Sequence, residues 1–238
     1  MSARDTAIVH AEALPLARSH WPDRQDWVTI GLSESATWRY QQGQVSHAGS
    51  GAGVPLAGTP FDNPILGITA AATAAAMAAC GVDTGQVGDV ARCFERLPHR
   101  MQEVAVIRGI HFVNDSKATT LTAMAAALQM IPGKARLIAG GRLKETDINC
   151  VKKTLAKRAE AIYLIGECSE VLAKAWSDTV LCIECGGLET AVLRATQDAR
   201  AGETVLLSPG CASFDQFSGF EERGNKFVEL AKSTERRG

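Results

Sequence analysis

From Met101 onward the chain alternates between short apolar runs and longer amphipathic ones. "ARLIAGG", "AIYLIG", "TVLCIE" and "TVLLSPG" have little polar interruption and are too short for helices, so they read as strands buried on both faces. Between and after them, "TLTAMAAALQMI", "INCVKKTLAKR", "SEVLAKAW", "LETAVLRATQDARA" and a stretch within "ERGNKFVELAKS" carry helical spacing. Strands of that kind separated by helices predict a doubly wound, mainly parallel α/β sheet. "EVAVIRGIHFVND", just upstream, predicts a hairpin or two successive strands about Gly109.

Residues 1 to about 60 read as short strands with turns, followed by a loose "GSGAGVPLAGTP". Asn63 before Pro64 marks a helix start, and the Ala-rich body after it runs to Gly81, which suits a left-handed C-terminal residue. A second helix, "TGQVGDVARCFERL", is expected to close at Pro98. The pattern therefore divides the chain into 1–97 and 98–238.

Composition narrows the function classes. The 238 residues are 46% hydrophobic and 21% charged, with a formal net charge of -1. That balance gives no electrostatic case for nucleic acid or an anionic membrane. The N-terminal stretch carries Asp5 and Glu12 and lacks an apolar core like that of a signal peptide. The longest weakly polar run is shorter than a membrane span, so a cytoplasmic protein is expected. Seven cysteines in irregular spacing fit reduced thiols, with Cys80, Cys93 and Cys182 expected inside apolar segments. "CIEC", Cys182 to Cys185, has half-site spacing, but nothing completes four ligands, so no metal site is expected.

In a parallel sheet, chemistry gathers in the loops that leave the carboxyl ends of strands. "NDSKATT" offers Asp115, Lys117 and hydroxyls ahead of a helix. A helix cap needs only one of these, and Lys117 at the positive end of a helix dipole favours a nearby anion. "GGRLKETD" combines two glycines with Arg142 and Lys144, as either a solvated turn or a second anion-facing loop. "SPGCASFDQFSGFEERG" is longer than a connection requires, which suits either an ordered surface loop or a functional one. His99 reads as a linker residue or a ligand contact, and His111 as a residue on a strand face.

Three segments, "LPHRMQEV" (97–104), "FVNDSKATT" (112–120) and "LLSPGCASFDQFSGFEERGNKF" (206–227), together resemble the C-terminal part of the Mur ligases, specifically the glutamate-adding members of that family. The resemblance implies a Rossmann-like C-terminal amino-acid-binding domain at 98–238. Residues 1–97 would be an incomplete end of the family's α/β central, ATP-binding domain. It implies an ATP-dependent ligase of peptidoglycan synthesis joining UDP-N-acetylmuramoyl-L-alanine to D-glutamate through an acyl phosphate. Arg100, Asp115, Lys117 and Asn63 would serve the nucleotide, and Thr119, Lys144, Ser213 and Phe220 the amino acid. Mg²⁺ would assist, with its ligands outside this chain, and no residue here is singled out as catalytic.

The departures from the family are specific. No stretch matches a phosphate-binding loop of the form GTNGKS, and nothing matches the UDP-sugar domain. "FDNPILG" stands where the family carries His-Asn-x-x-Asn, with Asp62 for the His and Leu66 for the second Asn. Arg142 stands where an acidic residue is common. The sequence reading is therefore the C-terminal portion of the ligase, inactive alone and completed by an N-terminal half, on this or another chain. The alternatives are a non-catalytic amino-acid or nucleotide-binding module and an L-glutamate-adding variant.

Overall fold

Two separate sheets, divided between Glu95 and Arg96, organise the computed structural model, which describes residues 5–51 and 53–235. In the first unit the strands β1 (Ala7–His10), β2 (Trp27–Gly31), β3 (Trp38–Gln41), β4 (Gln44–His47) and β5 (Gly53–Pro55) lie in chain order. β1, β2 and β3 are parallel, and β3, β4 and β5 antiparallel. A helix absent from the sequence reading, α1 (Leu14–His20), follows β1. Pro15 sits in its first turn, where the missing N–H costs nothing, so this segment is not the strand-and-turn run expected.

α2 (Pro64–Ala79) starts at Asn63, whose side-chain oxygen accepts from the backbone N–H groups of Ile65 and Leu66. Ala70, Ala71, Ala74 and Ala75 are buried with Trp38, Tyr40 and Val45, so small side chains bring the helix close to the sheet. Gly67 is the tightest point: a Cβ there would lie 2.2 Å from the Tyr40 ring. The Tyr40 hydroxyl donates to Asp62 at 2.7 Å, which gives the departure at Asp62 a structural role. α3 (Gln86–Cys93) ends before Pro98, because the chain turns extended at Phe94, whose ring stands edge-on to Phe61. Cys80 and Cys93 are exposed rather than buried in apolar segments: each lies where its helix ends.

The second unit contains β6 (Gln102–Ile107), β7 (Ile110–Asn114), α4 (Leu121–Met130), β8 (Ala135–Gly140), α5 (Lys152–Arg158) and β9 (Ala159–Ile165). It continues with α6 (Ser169–Trp176), β10 (Leu181–Gly186), α7 (Leu188–Asp198), β11 (Thr204–Leu207) and α8 (Phe220–Glu235). β6 and β7 form a hairpin whose turn residues, Arg108 and Gly109, both have positive φ, the backbone that matches strand twist in a tight turn. The sheet order is β10-β9-β8-β11-β7-β6, parallel except for the β6 edge. α8 begins within the expected long loop, which shortens that loop to 208–219.

Side chains alternate between two cores, as a sheet covered on both faces requires. Ile162 and Leu164 of β9 pack with Leu121, Leu155 and Trp176 of α4, α5 and α6. Ala161, Tyr163 and Ile165 pack with Val192 of α7 and Phe227 of α8. The mainly parallel, doubly wound α/β expectation is therefore met. β11 lies between β7 and β8, and the chain leaves it toward α8, on the face opposite α4 and α5. A reversal of this kind is where open α/β sheets place their ligand crevice, at the carboxyl ends of those three strands. Among the described residues no helix is long and apolar enough to cross a membrane.

Trp176 is fully buried and donates its indole N–H to the Ile148 carbonyl at 2.9 Å. Replacing it with Ala should cost about 3–5 kcal/mol in urea unfolding of the second unit, and a loss below about 1 kcal/mol would contradict this packing.

Candidate functional site

Hydrogen bonds stitch together the loops that leave β7, β8 and β11. Asp115 N–H donates to the Leu207 carbonyl, Gly140 N–H to Pro209, and Gly210 N–H to Ala118. Arg142 and Ala212 exchange two backbone bonds, of 2.8 and 2.9 Å. Gly140 and Gly141 make this closeness feasible, with φ of +121° and +126°. A Cβ at Gly140 would lie 2.0 Å from the Ile165 carbonyl oxygen, and one at Gly141 2.3 Å from that of Ala212.

Asp115 is buried beneath these loops. One carboxylate oxygen accepts from Met101 N–H at 3.1 Å and the other from the Ser208 hydroxyl at 2.9 Å. Burial raises its pKa to about 6, against the lowering effect of those two donors and of Arg100 and Arg96. Each oxygen keeps capacity for a second donor. Arg100 is exposed, and the residues on either side of it, His99 and Met101, have φ of +62° and +48°. Such backbone is uncommon away from glycine and is held here by specific bonds. Met101 N–H bonds Asp115, the His99 carbonyl accepts from Lys117 N–H, and His99 Nδ1 lies 3.1 Å from Asn114 Nδ2. His99 is thus a buried structural residue of the second unit rather than a linker.

Lys117 Nζ sits 3.8 Å from the centre of the Phe220 ring, and His99 meets the same ring edge-on at 5.9 Å. The two residues expected on different sides of a site are therefore in contact. Thr120 is the N-cap of α4, accepting from Ala123 N–H, while Glu145 accepts from Leu121 N–H at 3.0 Å. A carboxylate of the chain itself thus supplies part of the negative charge that the α4 dipole and Lys117 favour there. Glu145's second oxygen is buried without a hydrogen-bond partner.

Thr119 lies half-buried after Lys117, Ser213 is buried beyond Ala212, and Lys144 is exposed on the β8 loop. Among the described residues neither Lys144 nor Arg100 forms an ion pair. Arg142 pairs instead with Glu167 at 3.0 Å. Asn63 belongs to the first unit, and its side chain is committed to capping α2 and to the Pro60 carbonyl. No group of three His, Cys, Asp or Glu side chains gathers as a metal site among the described residues. Cys182 and Cys185 face opposite cores, so "CIEC" cannot chelate. His111 is a strand-face residue paired with Glu103 at 2.7 Å.

Arg223 of α8 was not anticipated. Its guanidinium is 1% exposed and donates to the Ser116 hydroxyl (3.0 Å), the Ser116 carbonyl (2.9 Å) and the Cys211 carbonyl (3.1 Å). Burial brings its pKa down to about 10, so it stays charged at neutral pH. Ser116 also donates to the Phe220 carbonyl, and Asn114 Nδ2 to that of Gly224, so α8 is anchored to the β7 loop at three points.

The arrangement can bind an anionic ligand. It offers exposed cations at Arg100 and Lys144, and Lys117 packed on Phe220, over loops joined by buried bonds. The family described as Mur ligase, glutamate ligase domain matches residues 99–211. The chain is 42% identical over 158 residues to the UDP-N-acetylmuramoylalanine–D-glutamate ligase of Pelodictyon phaeoclathratiforme, covering 66% of this chain and 34% of that protein. It is 38% identical over 177 residues to the ligase of that name from Acidobacterium capsulatum, covering 74% and 37%. The chain thus spans about a third of the length of these curated relatives. In fold it is similar to MurF ligase from Thermotoga maritima in complex with ADP (TM-score 0.64, 20% identity, 98% of this chain and 55% of that one). It is also similar to UDP-N-acetylmuramate-alanine ligase MurC from Thermotoga maritima (TM-score 0.66, 14% identity, 97% and 52%).

Two outcomes follow from the buried charges. Asp115 has a folded pKa of about 6, above its value of 3.8 in water, so folding favours its protonated form. That contribution is full below pH 3.8 and is lost as pH rises through 6. Relative to Asp115→Asn, the wild type should lose up to about 3 kcal/mol of stability between pH 4 and 7, read by urea unfolding across pH; parallel profiles would contradict the burial. Arg223→Met leaves the Ser116 and Cys211 carbonyls without their donors and should destabilise the second unit by about 2–4 kcal/mol, read by the same method.

Proposed function

We propose that this chain, whose residues 99–211 match the family described as Mur ligase, glutamate ligase domain, supplies the amino-acid side and part of the nucleotide side of a D-glutamate-adding ligase. The whole reaction would join UDP-N-acetylmuramoyl-L-alanine to D-glutamate, with ATP converting the sugar-linked carboxylate to an acyl phosphate that the amine then attacks. The observation that carries the reading is the convergence of the β7, β8 and β11 loops, which carry Lys117, Lys144 and buried Asp115 and Ser213, with the turn before β6 that carries Arg100 bonded to the β7 loop through Met101 and His99.

The roles divide by chemistry. Arg100 would neutralise phosphate oxygens, and Asp115, with acceptor capacity left on both oxygens, would take ribose hydroxyl donors. Lys117 would hold charge between the phosphoryl group and the incoming carboxylate. Its amine rests 3.8 Å from the centre of the Phe220 ring and from there would serve both groups. Thr119, Lys144, Ser213 and Phe220 would orient glutamate, whose two carboxylates call for several donors and a cation. Asn63 would hold the start of α2 and would have one Nδ2 hydrogen left for the nucleotide. Residues 1–97 would be the end of the central domain, and the protein would work in the cytoplasm, where these nucleotide substrates are made.

The 238 residues contain no GTNGKS-type loop and no described metal cluster. Among the described residues no group of His, Cys, Asp and Glu side chains would hold Mg²⁺, and its ligands would come with the phosphate-binding half. These residues alone would therefore bind but not turn over, and catalysis would need the phosphate-binding half, on this or another chain. A binding module without catalysis is the second reading, favoured by that same missing loop.

ATP-dependent phosphate release, measured with UDP-N-acetylmuramoyl-L-alanine and D-glutamate, should be absent for these residues alone and appear when the N-terminal half of a relative is added. In that reconstituted enzyme Lys144→Ala should raise the KM for D-glutamate about tenfold or more, an effect of about 1.4 kcal/mol or more. Turnover without the added half would overturn the claim of incompleteness, and an unchanged KM would remove Lys144 from the site. No turnover with the half supplied would favour the binding module.

A further inference from the structure

Cys168 and Cys211 are 43 positions apart in the chain, yet their sulfurs lie 3.6 Å apart beneath the candidate site. Cys168 ends the loop that leaves β9, and its N–H donates to the Gly141 carbonyl. Cys211 lies two residues before Ser213, and its carbonyl accepts from Arg223. A disulfide needs a separation of about 2.0 Å, so closing this one asks for a movement of about 1.5 Å. From this geometry we propose that Cys168 and Cys211 form a reversible disulfide switch, closed by hydrogen peroxide, that ties the β9 loop to the loop carrying Ser213.

The pair is chemically asymmetric. The hydrogen bond between the two sulfurs holds the Cys168 thiol below its ordinary pKa and pushes that of Cys211 up. Cys168 is also the more accessible, at 5% exposure against 0%. The Cys168 thiolate therefore attacks one oxygen of hydrogen peroxide, breaking the O–O bond and forming a sulfenic acid; the hydroxide released takes up a proton to become water. The sulfur of Cys211, giving up its proton, then attacks the Cys168 sulfur and expels a second water. Two thiols are oxidised to one disulfide and one peroxide is reduced to two waters. A dithiol reductant reverses the change by exchange. Peroxide is small enough to reach a thiol that larger disulfides cannot.

The bond would close a long loop of chain, including α6, β10, α7 and β11, and so constrain the unfolded state. It would also pin the backbone on which Ser213 sits. Cys182 and Cys185, which have redox-motif spacing, cannot pair without leaving their opposite cores.

The test treats the full 238-residue chain with hydrogen peroxide and maps its peptides without reduction. The expected result is a Cys168–Cys211 linked peptide that has lost two hydrogens and disappears on treatment with dithiothreitol. A rise in Tm of about 5–10 °C should accompany it, and that rise should be absent in Cys168→Ser. Finding both cysteines reduced, both as sulfinic acids, or linked only to exposed Cys80, Cys93 or Cys150 would overturn the proposal. The mapping uses the unaltered chain, so it decides the question even if Cys168→Ser fails to fold, and it needs no ligase activity.

Discussion

A guanidinium removed from water needs either a carboxylate or several well-placed oxygens, and Arg223 has the oxygens. Two come from Ser116 and one from Cys211, so a single planar group joins the helix that ends the fold to the two loops richest in candidate ligand contacts. Carbonyls accept without adding charge, so the guanidinium keeps its own, with Asp215 the carboxylate that acts on it from a distance. A buried carboxylate partner would have cancelled it. The arrangement stabilises loop geometry and biases the electrostatics of the crevice toward anions through one residue.

Asp115 carries the opposite problem. Its burial resists ionisation, while Met101 N–H, the Ser208 hydroxyl and two nearby arginines favour it. The strained backbone at His99 and Met101 follows from the same demand, since the turn around Arg100 must aim Met101 N–H at a carboxylate inside the sheet. Arg100 is thereby held between two fixed neighbours while its own side chain stays free in solvent. Rigid supports beneath an exposed charged end are what a site needs to hold an anion without reorganising its frame.

Much of this fold was legible in the sequence, because strands buried on both faces leave uninterrupted apolar runs such as "AIYLIG". Helix α1 was not, since its seven residues have too few apolar positions to show a period. Asn63 was legible as a cap, a role that occupies its amide oxygen and leaves one of the two Nδ2 hydrogens uncommitted. The β7 loop announced itself through the density of polar types in "NDSKATT". Arg223 and Glu145 did not. "FEERGNKF" reads as an ordinary charged helix face, and it is Ser116, 107 residues upstream, together with the Cys211 carbonyl that gives its arginine a place inside. The thiols show the same limit: spacing singled out Cys182 and Cys185, while the pair that meets is brought together by two strands that are not neighbours in sequence.

The strand order has a bearing on biosynthesis. β7 and β8 are made early in the second unit, yet β11, which fills the gap between them, is made nearly a hundred residues after β7. Until it emerges, both strands keep open hydrogen-bonding edges of an apolar, parallel kind that readily recruit other chains. The sheet cannot be assembled from its N-terminal end as translation proceeds. A ribosome that stalls before Thr204 leaves a nascent chain with its central slot empty, dependent on chaperones until the last strand arrives.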